Sequence, residues 1–169
     1  MTGAAATGRT RQVKNPKTCH ERALGLLAVR ARSRRELETR LRAAGFESRE
    51  VDEVLLRLER VGLIDDEAFA RQLAEHRFGV KRSGSRSVTR ELLGKGVSAA
   101  VVTSVVGEAR ESEEERAAAL AASRAPRLTS VDPAKAFNRL SSLLMRRGYS
   151  PEVARSAARR ALHVEGAEE

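Results

Sequence analysis

Asp65, Asp66 and Glu67 stand in a row within RVGLIDDEAFAR, residues 60–71. Adjacent carboxylates behind an apolar turn can serve two chemistries, acid–base catalysis and metal binding. Either one needs partners. A catalytic centre brings a nucleophile beside a base, and a metal centre brings ligands at fixed spacing. The candidates elsewhere in the chain are scattered. Cys19, His20, His76 and His163 show no metal-ligand spacing. Gly94-Lys95-Gly96 suggests a phosphate loop, but no strand precedes it and no Lys-Ser/Thr follows the last glycine. The acidic run ESEEE, residues 111–115, falls where a helix begins, and acids are favoured there in any case. No catalytic residue, no metal site and no cofactor is expected.

The acids have a structural reading instead. With Gly62 as the left-handed residue just past a helix, Leu58 and Leu63 occupy the two positions whose side chains meet in a Schellman motif. Asp65 then caps the next helix, and Asp66 and Glu67 sit in its first turn, where the macrodipole favours negative charge. Ile64 and Phe69 take the two positions of a hydrophobic staple. Every residue of the stretch has a place at a junction between helices.

What remains is positive charge. The chain has 169 residues with 32 Lys and Arg against 23 Asp and Glu, a net charge of +9. Such a balance favours polyanionic partners. Arg30, Arg32, Arg34 and Arg35 crowd one link. The acid-free run RFGVKRSGSRSVTR contains Arg77, Lys81, Arg82, Arg86 and Arg90, and Arg146 and Arg147 precede a glycine. Two readings stand side by side. Surface arginines are solvated or paired with nearby glutamates, as expected of Arg40, Arg42, Arg57 and Arg60. Clustered in a loop, arginines suit bidentate contact with phosphate or carboxylate. Phe78 is the only aromatic residue in the 77–90 run, so reading of bases is not expected there.

The elements that must carry these residues are helices. Apolar residues make up 41% of the chain and aromatics 3%, with four prolines and no tryptophan. One pattern recurs: Leu41-x-x-x-Gly45-Phe46, Leu92-x-x-x-Gly96-Val97 and Leu144-x-x-x-Gly148-Tyr149, with another apolar residue four before each leucine (Leu37, Val88, Leu140). After each glycine comes a second apolar series at common offsets: Val51, Val54, Leu55, Leu58; Val102, Val105, Val106, Ala109; Ala154, Ala157, Ala158, Ala161. A near-constant period marks repeated supersecondary units. Each Leu–Gly–apolar set fits a Schellman stop. Ser33 with Glu36 reads as a capping box, Ser98 and Ser150 as N-caps, Ser48 as the cap of the helix after Gly45, and Asp132-Pro133 as a helix opening. Leading helices are expected near 23–31, 66–78 and 111–124. The fold class is all-α, an elongated tandem array of three three-helix repeats at 20–64, 65–109 and 110–163. Residues 1–19 form a basic disordered tail holding Cys19, and residues 164–169 form an acidic one. No apolar run approaches the roughly 18 residues of a membrane span. The N-terminal residues lack the apolar segment of a signal peptide, and a lone cysteine fits a reduced, cytoplasmic setting.

The stretches SRRELETRLRAAGFESREVDEVLLRLERVGLIDDEAFAR (33–71) and SRSVTRELLGKGV (85–97) resemble the RecX family, regulators of the bacterial RecA recombinase. The likeness covers residues 20–109 well, and the third unit is looser. It implies an all-helical, non-enzymatic, cytoplasmic protein that lies along the groove of the RecA–single-stranded DNA filament. Such a protein restrains ATP hydrolysis, strand exchange and co-protease activity in DNA repair and the SOS response. The family signature maps onto Gly45, Gly62, Asp65, Asp66, Gly96 and Gly148 as fold-defining positions. Partners expected on this reading are a RecA-type filament and, weakly and without sequence preference, single-stranded DNA. No membrane contact is expected, and the chain should be a monomer. Two alternatives remain open: a helix-turn-helix-like protein acting directly on duplex DNA, and a helical scaffold with protein partners alone.

Overall fold

The computed structural model describes residues 17–109 and 112–163. The expectations for residues 1–16, 110–111 and 164–169 lie outside the described residues. Within them the chain forms nine α-helices and no strand. The first unit holds α1 (Cys19–Val29), α2 (Arg34–Ala43) and α3 (Ser48–Arg60). The second holds α4 (Asp66–Glu75), α5 (Ser85–Gly94) and α6 (Ala99–Gly107), and the third α7 (Glu113–Arg124), α8 (Pro133–Arg146) and α9 (Pro151–Leu162).

Each unit has its own core. Leu37, Leu41, Val51, Leu55 and Leu58 close on Cys19 and Ala23 in the first. Val88, Leu92, Val102 and Val105 close on Phe69 and Ala70 in the second. Leu140, Leu144, Tyr149, Ala154 and Ala158 close on Ala117 and Leu120 in the third. These are the residues at the repeated offsets, and extensive helix–helix packing stays within units. Each fully buried leucine contributes roughly 2 kcal/mol.

The helix stops explain the spacing. In every case the residue after the glycine donates its N–H to the carbonyl five residues back: Phe46 to Leu41, Leu63 to Leu58, Val97 to Leu92 and Tyr149 to Leu144. Gly45, Gly62, Gly96 and Gly148 take φ values of 94°, 72°, 81° and 93°, a region costly for residues with a Cβ. Caps begin the helices: Asp65 accepts from Glu67 N and Ala68 N, Asp132 from Lys135 N, Ser98 from Val101 N and Ser150 from Val153 N.

Four local expectations are corrected. Cys19 is the first residue of α1, fully buried, with Thr18 and Glu21 forming a complete capping box, so the first unit starts before residue 20. α3 is capped by Glu47 without a side-chain bond, and Ser48 is already helical. Ser33 accepts from Glu36 N, but the Glu36 carboxylate turns to Arg30, so only half of that box exists. The helix expected to run to residue 78 breaks at Glu75 into a π-helical turn, His76–Val80, which buries Phe78.

Units meet through turns and helix ends. Between the first and second, Ser33 Oγ donates to Lys95 O at 2.6 Å, and Arg34 N donates to Asp66 Oδ1 at 2.8 Å. Between the second and third, Gly84 N donates to Arg147 O at 2.9 Å, Arg86 N to Gly148 O at 3.2 Å, and Ser85 N to Glu113 Oε1 at 3.2 Å. In both, a glycine turn sits on the free N-terminus of the preceding unit's second helix, and an acid from the next leading helix takes one of its N–H groups. α8 is one turn longer than α2 and α5. The position matching Ser33 and Gly84 is Ala136, inside the helix, where the following N–H groups are already bonded along α8. A glycine turn cannot dock on α8 at this position in the way the second and third turns dock on α2 and α5.

Candidate functional site

The carboxylates that open as candidates for chemistry are consumed by structure. Asp65 caps α4, Asp66 ties α4 to the N-terminus of α2, and Glu67 pairs with Arg71 at 2.6 Å. Among the described residues no three His, Cys, Asp or Glu side chains converge as a metal site would need. Cys19 is buried, and burial pushes its thiol above its ordinary value, with the Glu50 charge adding to the effect.

The basic candidates divide into held and open residues. Arg30 binds Glu36 at 2.6 Å, and that bond raises the guanidinium and lowers the carboxyl from their ordinary values. Arg34 pairs with Glu59 at 2.9 Å. Arg32 is buried, donates Nε–H to Leu26 O at 3.1 Å, and desolvation lowers its pKa. The Arg35 side chain lies against Gly96 and packs the first junction. Arg77 forms a two-pronged bond with Glu91 at 2.7 and 2.6 Å, which raises its pKa. This is an acid that the run 77–90 does not itself contain. Arg82 donates to Ala119 O and Arg147 to Lys81 O, each across the second junction. Lys81, Arg86, Arg90 and Arg146 are exposed, and no carboxylate lies within 4.0 Å of any of them among the described residues.

The second junction therefore gathers charge. The bond from Arg147 to Lys81 O and that from Arg86 N to Gly148 O bring the 81–86 loop against the third glycine turn. Tyr149 O–H donates to Arg82 O at 2.7 Å beneath it, with burial pushing the phenol up to about 12. Arg82 takes a φ of 47°, a strained value for a side-chain-bearing residue, held by these bonds. Phe78 is not available to a ligand: it is buried, and the Arg116 guanidinium lies over its ring at 4.1 Å. A crevice of about 480 Å³ beside this pair is lined by Arg71, Glu75 and Glu108, a mixed-charge wall in which Arg71 is already bound to Glu108.

The sequence reading passes over the basic outer face of the last helix. Over residues 112–163 ten Lys and Arg stand against five Asp and Glu. Arg155, Arg159 and Arg160 of α9 are exposed, and Glu152 is the sole acid on that helix. All ion pairs within 4.0 Å among the described residues lie between Arg30 and Glu108. The signal was present: Ala154, Ala157, Ala158 and Ala161 mark the inner face, which leaves the arginines outside.

Known proteins share this architecture. Residues 19–58, 65–106 and 111–158 match, in order, the first, second and third three-helix domains of RecX. A protein named Regulatory protein RecX from Streptomyces coelicolor is 37% identical over 169 residues, covering 97% of this chain and 90% of the relative. Another so named, from Mycolicibacterium smegmatis, is 40% identical over 152 residues, covering 85% of this chain and 81% of its own. The crystal structure of RecX from Lactobacillus salivarius superposes with a TM-score of 0.75 at 19% identity, over 86% of this chain and 96% of that one. With three units matched in sequence order and relatives spanning most of its length, this chain belongs to the RecX family.

Proposed function

We propose that this chain modulates, chiefly by inhibition, a RecA-type recombinase, and that it does so as a cytoplasmic monomer without catalysing a reaction itself. It lies along the recombinase–single-stranded DNA filament and restrains ATP hydrolysis, strand exchange and co-protease activity, and so acts in DNA repair and the SOS response. One observation carries the reading: membership, through all three units, of a family whose relatives are named regulatory proteins. The architecture gives it a physical basis. A tandem array offers several weak contacts to successive protomers of a polymer, and linked contacts add avidity without any one strong site. Lys81, Arg86, Arg90 and Arg146, open at the second junction, face a polyanion or acidic protomer surface on this reading, whereas Arg30, Arg34 and Arg77 serve the fold. Adding the protein to RecA, ATP and single-stranded DNA tests the proposal. Suppression of ATP hydrolysis at well below one chain per protomer supports it; unchanged hydrolysis at equimolar protein rejects it.

One observation favours the second reading, direct action on duplex DNA. α9 follows a glycine turn and carries three exposed arginines, as a recognition helix would. Tight, sequence-specific duplex binding would select it over the filament regulator.

A further inference from the structure

Glycine turns end the second helix of each unit, and two of these three turns are covered. At the Gly96 turn, Lys95 O accepts from Ser33 Oγ, and Val97 is buried. At the Gly148 turn, Arg147 O accepts from Gly84 N and Gly148 O from Arg86 N, and Tyr149 is buried. The Gly45 turn has the same backbone, with Gly45 at a φ of 94° and the Phe46 N–H bonded to Leu41 O. Among the described residues nothing covers it. Ala44 and Gly45 are exposed, Phe46 is only half-buried, and no donor reaches Ala44 O or Gly45 O. A Cβ on Gly45 would meet nothing within 4 Å, whereas one on Gly96 or Gly148 would overlap Arg35 or Ser87 of the helix that docks there. The turn ends α2, so its open carbonyls lie at the negative end of the helix dipole. What the two covered turns bind is the complement: a helix N-terminus with free N–H groups, whose N-cap is the small residue Ser33 or Gly84.

We propose that the Gly45–Phe46 turn docks onto an open helix N-terminus of a protein partner, one with serine or glycine at its N-cap. The chain's own junctions are the template. Ala44 O and Gly45 O accept the partner's first N–H groups, as Arg147 O and Gly148 O do at the second junction, and the partner's first turn covers the exposed part of Phe46. The two helix dipoles then meet head to tail. The cap must be small, because bulk there meets the backbone of the turn, as a Cβ on Gly84 would. On this template a second copy of the chain is not the occupant. Its α2 and α5 ends hold its own turns, and α8 has Ala136, inside the helix, at the matching place. One part of the template is missing. Asp66 and Glu113, the first residues of α4 and α7, each accept an N–H of the docked helix, and their counterpart in α1 is the buried Cys19. The first turn therefore holds its partner by fewer bonds than the other two turns have, which suits a reversible contact. The proposal adds a protein contact to the regulator reading without resting on it, because its grounds lie in this chain's own junctions.

The test is an NMR titration of the full, isotope-labelled chain with a synthetic peptide of residues 83–94, the helix end that the Gly148 turn binds. A hydrocarbon staple between the exposed positions 90 and 94 keeps the peptide helical, since so short a helix does not hold alone. Amide signals should shift at residues 43–47 and stay in place at the Gly96 and Gly148 turns. Gly45→Asn keeps a left-handed turn but adds a side chain to its face, and should weaken binding roughly tenfold or more. Gly62→Asn makes the same change in a left-handed turn that also has open space around it, and should leave binding within about twofold. A peptide carrying Gly84→Leu should not bind. The shift map and the Gly84→Leu peptide use the wild-type chain, so they decide the matter even where a variant is destabilised. The proposal fails if residues 43–47 do not respond to the peptide, if Gly62→Asn weakens binding as much as Gly45→Asn, or if the Gly84→Leu peptide binds as well as its parent. It fails also if the chain alone forms dimers that Gly45→Asn dissolves, because a second copy would then be the occupant. Recombinase ATP hydrolysis, followed separately with wild-type protein, reports on the regulator reading whatever these outcomes are.

Discussion

The two junctions between units are built on one plan with different materials. At the first, the docking position is Ser33, whose hydroxyl caps Glu36 N and also reaches Lys95 O, so a side chain separates the two backbones. At the second, the same position is Gly84, and backbone meets backbone. A Cβ on Gly84 would overlap the Gly148 backbone, and one on Gly148 would overlap Ser87. At the first junction a Cβ on Gly96 would overlap the Arg35 side chain from its Cβ to its Cδ, with no backbone atom among the nearest neighbours. The N-cap residue thus sets how closely units approach, and the closer junction is the one that draws the open cations together.

The largest expected effect breaks the second junction. Gly84→Ala should cost about 3 kcal/mol in chemical denaturation, because the added methyl meets backbone that cannot yield. Gly84 has φ of −77°, so no left-handed strain contributes and a neutral result would refute the close approach. Next comes the pair Gly96→Ala and Gly45→Ala. Both introduce left-handed strain of about 1–2 kcal/mol, but only Gly96 faces a neighbour, so it should lose about 1 kcal/mol more. Equal losses would mean that the turn is not packed against Arg35. Ser33→Ala removes a cap and a junction bond together and should cost about 1–2 kcal/mol.

The smallest effects separate the junctions by pH. The Arg30 hydrogen bond, opposed by burial and helped by Lys95 across the first junction at 3.7 Å, holds Glu36 below its ordinary value of 4.5. A carboxyl lowered by folding stabilises above its unfolded value and ceases to as pH falls through the folded one, so this contribution disappears below pH 4.5. Tyr149 is raised by burial from 10.0 to about 12, so its contribution is complete below pH 10 and disappears between there and about 12. Denaturation midpoints should show an acid limb weakened by Glu36→Gln and an alkaline limb weakened by Tyr149→Phe.

The fold was legible because its determinants are local. A leucine, a glycine four residues on and an apolar residue after it define a helix stop within six residues, and the same reading placed Asp65 as a cap. The candidate site was less legible because pairing is not local. Arg77 finds Glu91 fourteen residues away and Arg34 finds Glu59 twenty-five away, so a run without acids looked open when part of it was closed. Asp66 and Glu113 read as helix-dipole acids, and nothing in the sequence says that they bridge units. Arg155, Arg159 and Arg160 were missed for the opposite reason. They are spread along a helix and form no run, and only the inward-facing alanines reveal that they share the outside. The π turn at His76–Val80 has no sequence signature that we can identify.

The claim on which the account depends is that separately cored units are joined through helix ends at glycine turns. Native-state hydrogen exchange on three amides tests it, since Arg34 N is held only by Asp66, Gly84 N by Arg147 O, and Arg86 N by Gly148 O, each in another unit. All three should exchange far more slowly than exposed loop amides, and Gly148→Ala should release Gly84 and Arg86 while leaving Arg34 protected. Loop-like exchange at all three in the wild-type protein, or release of Arg34 together with the others, would contradict the account.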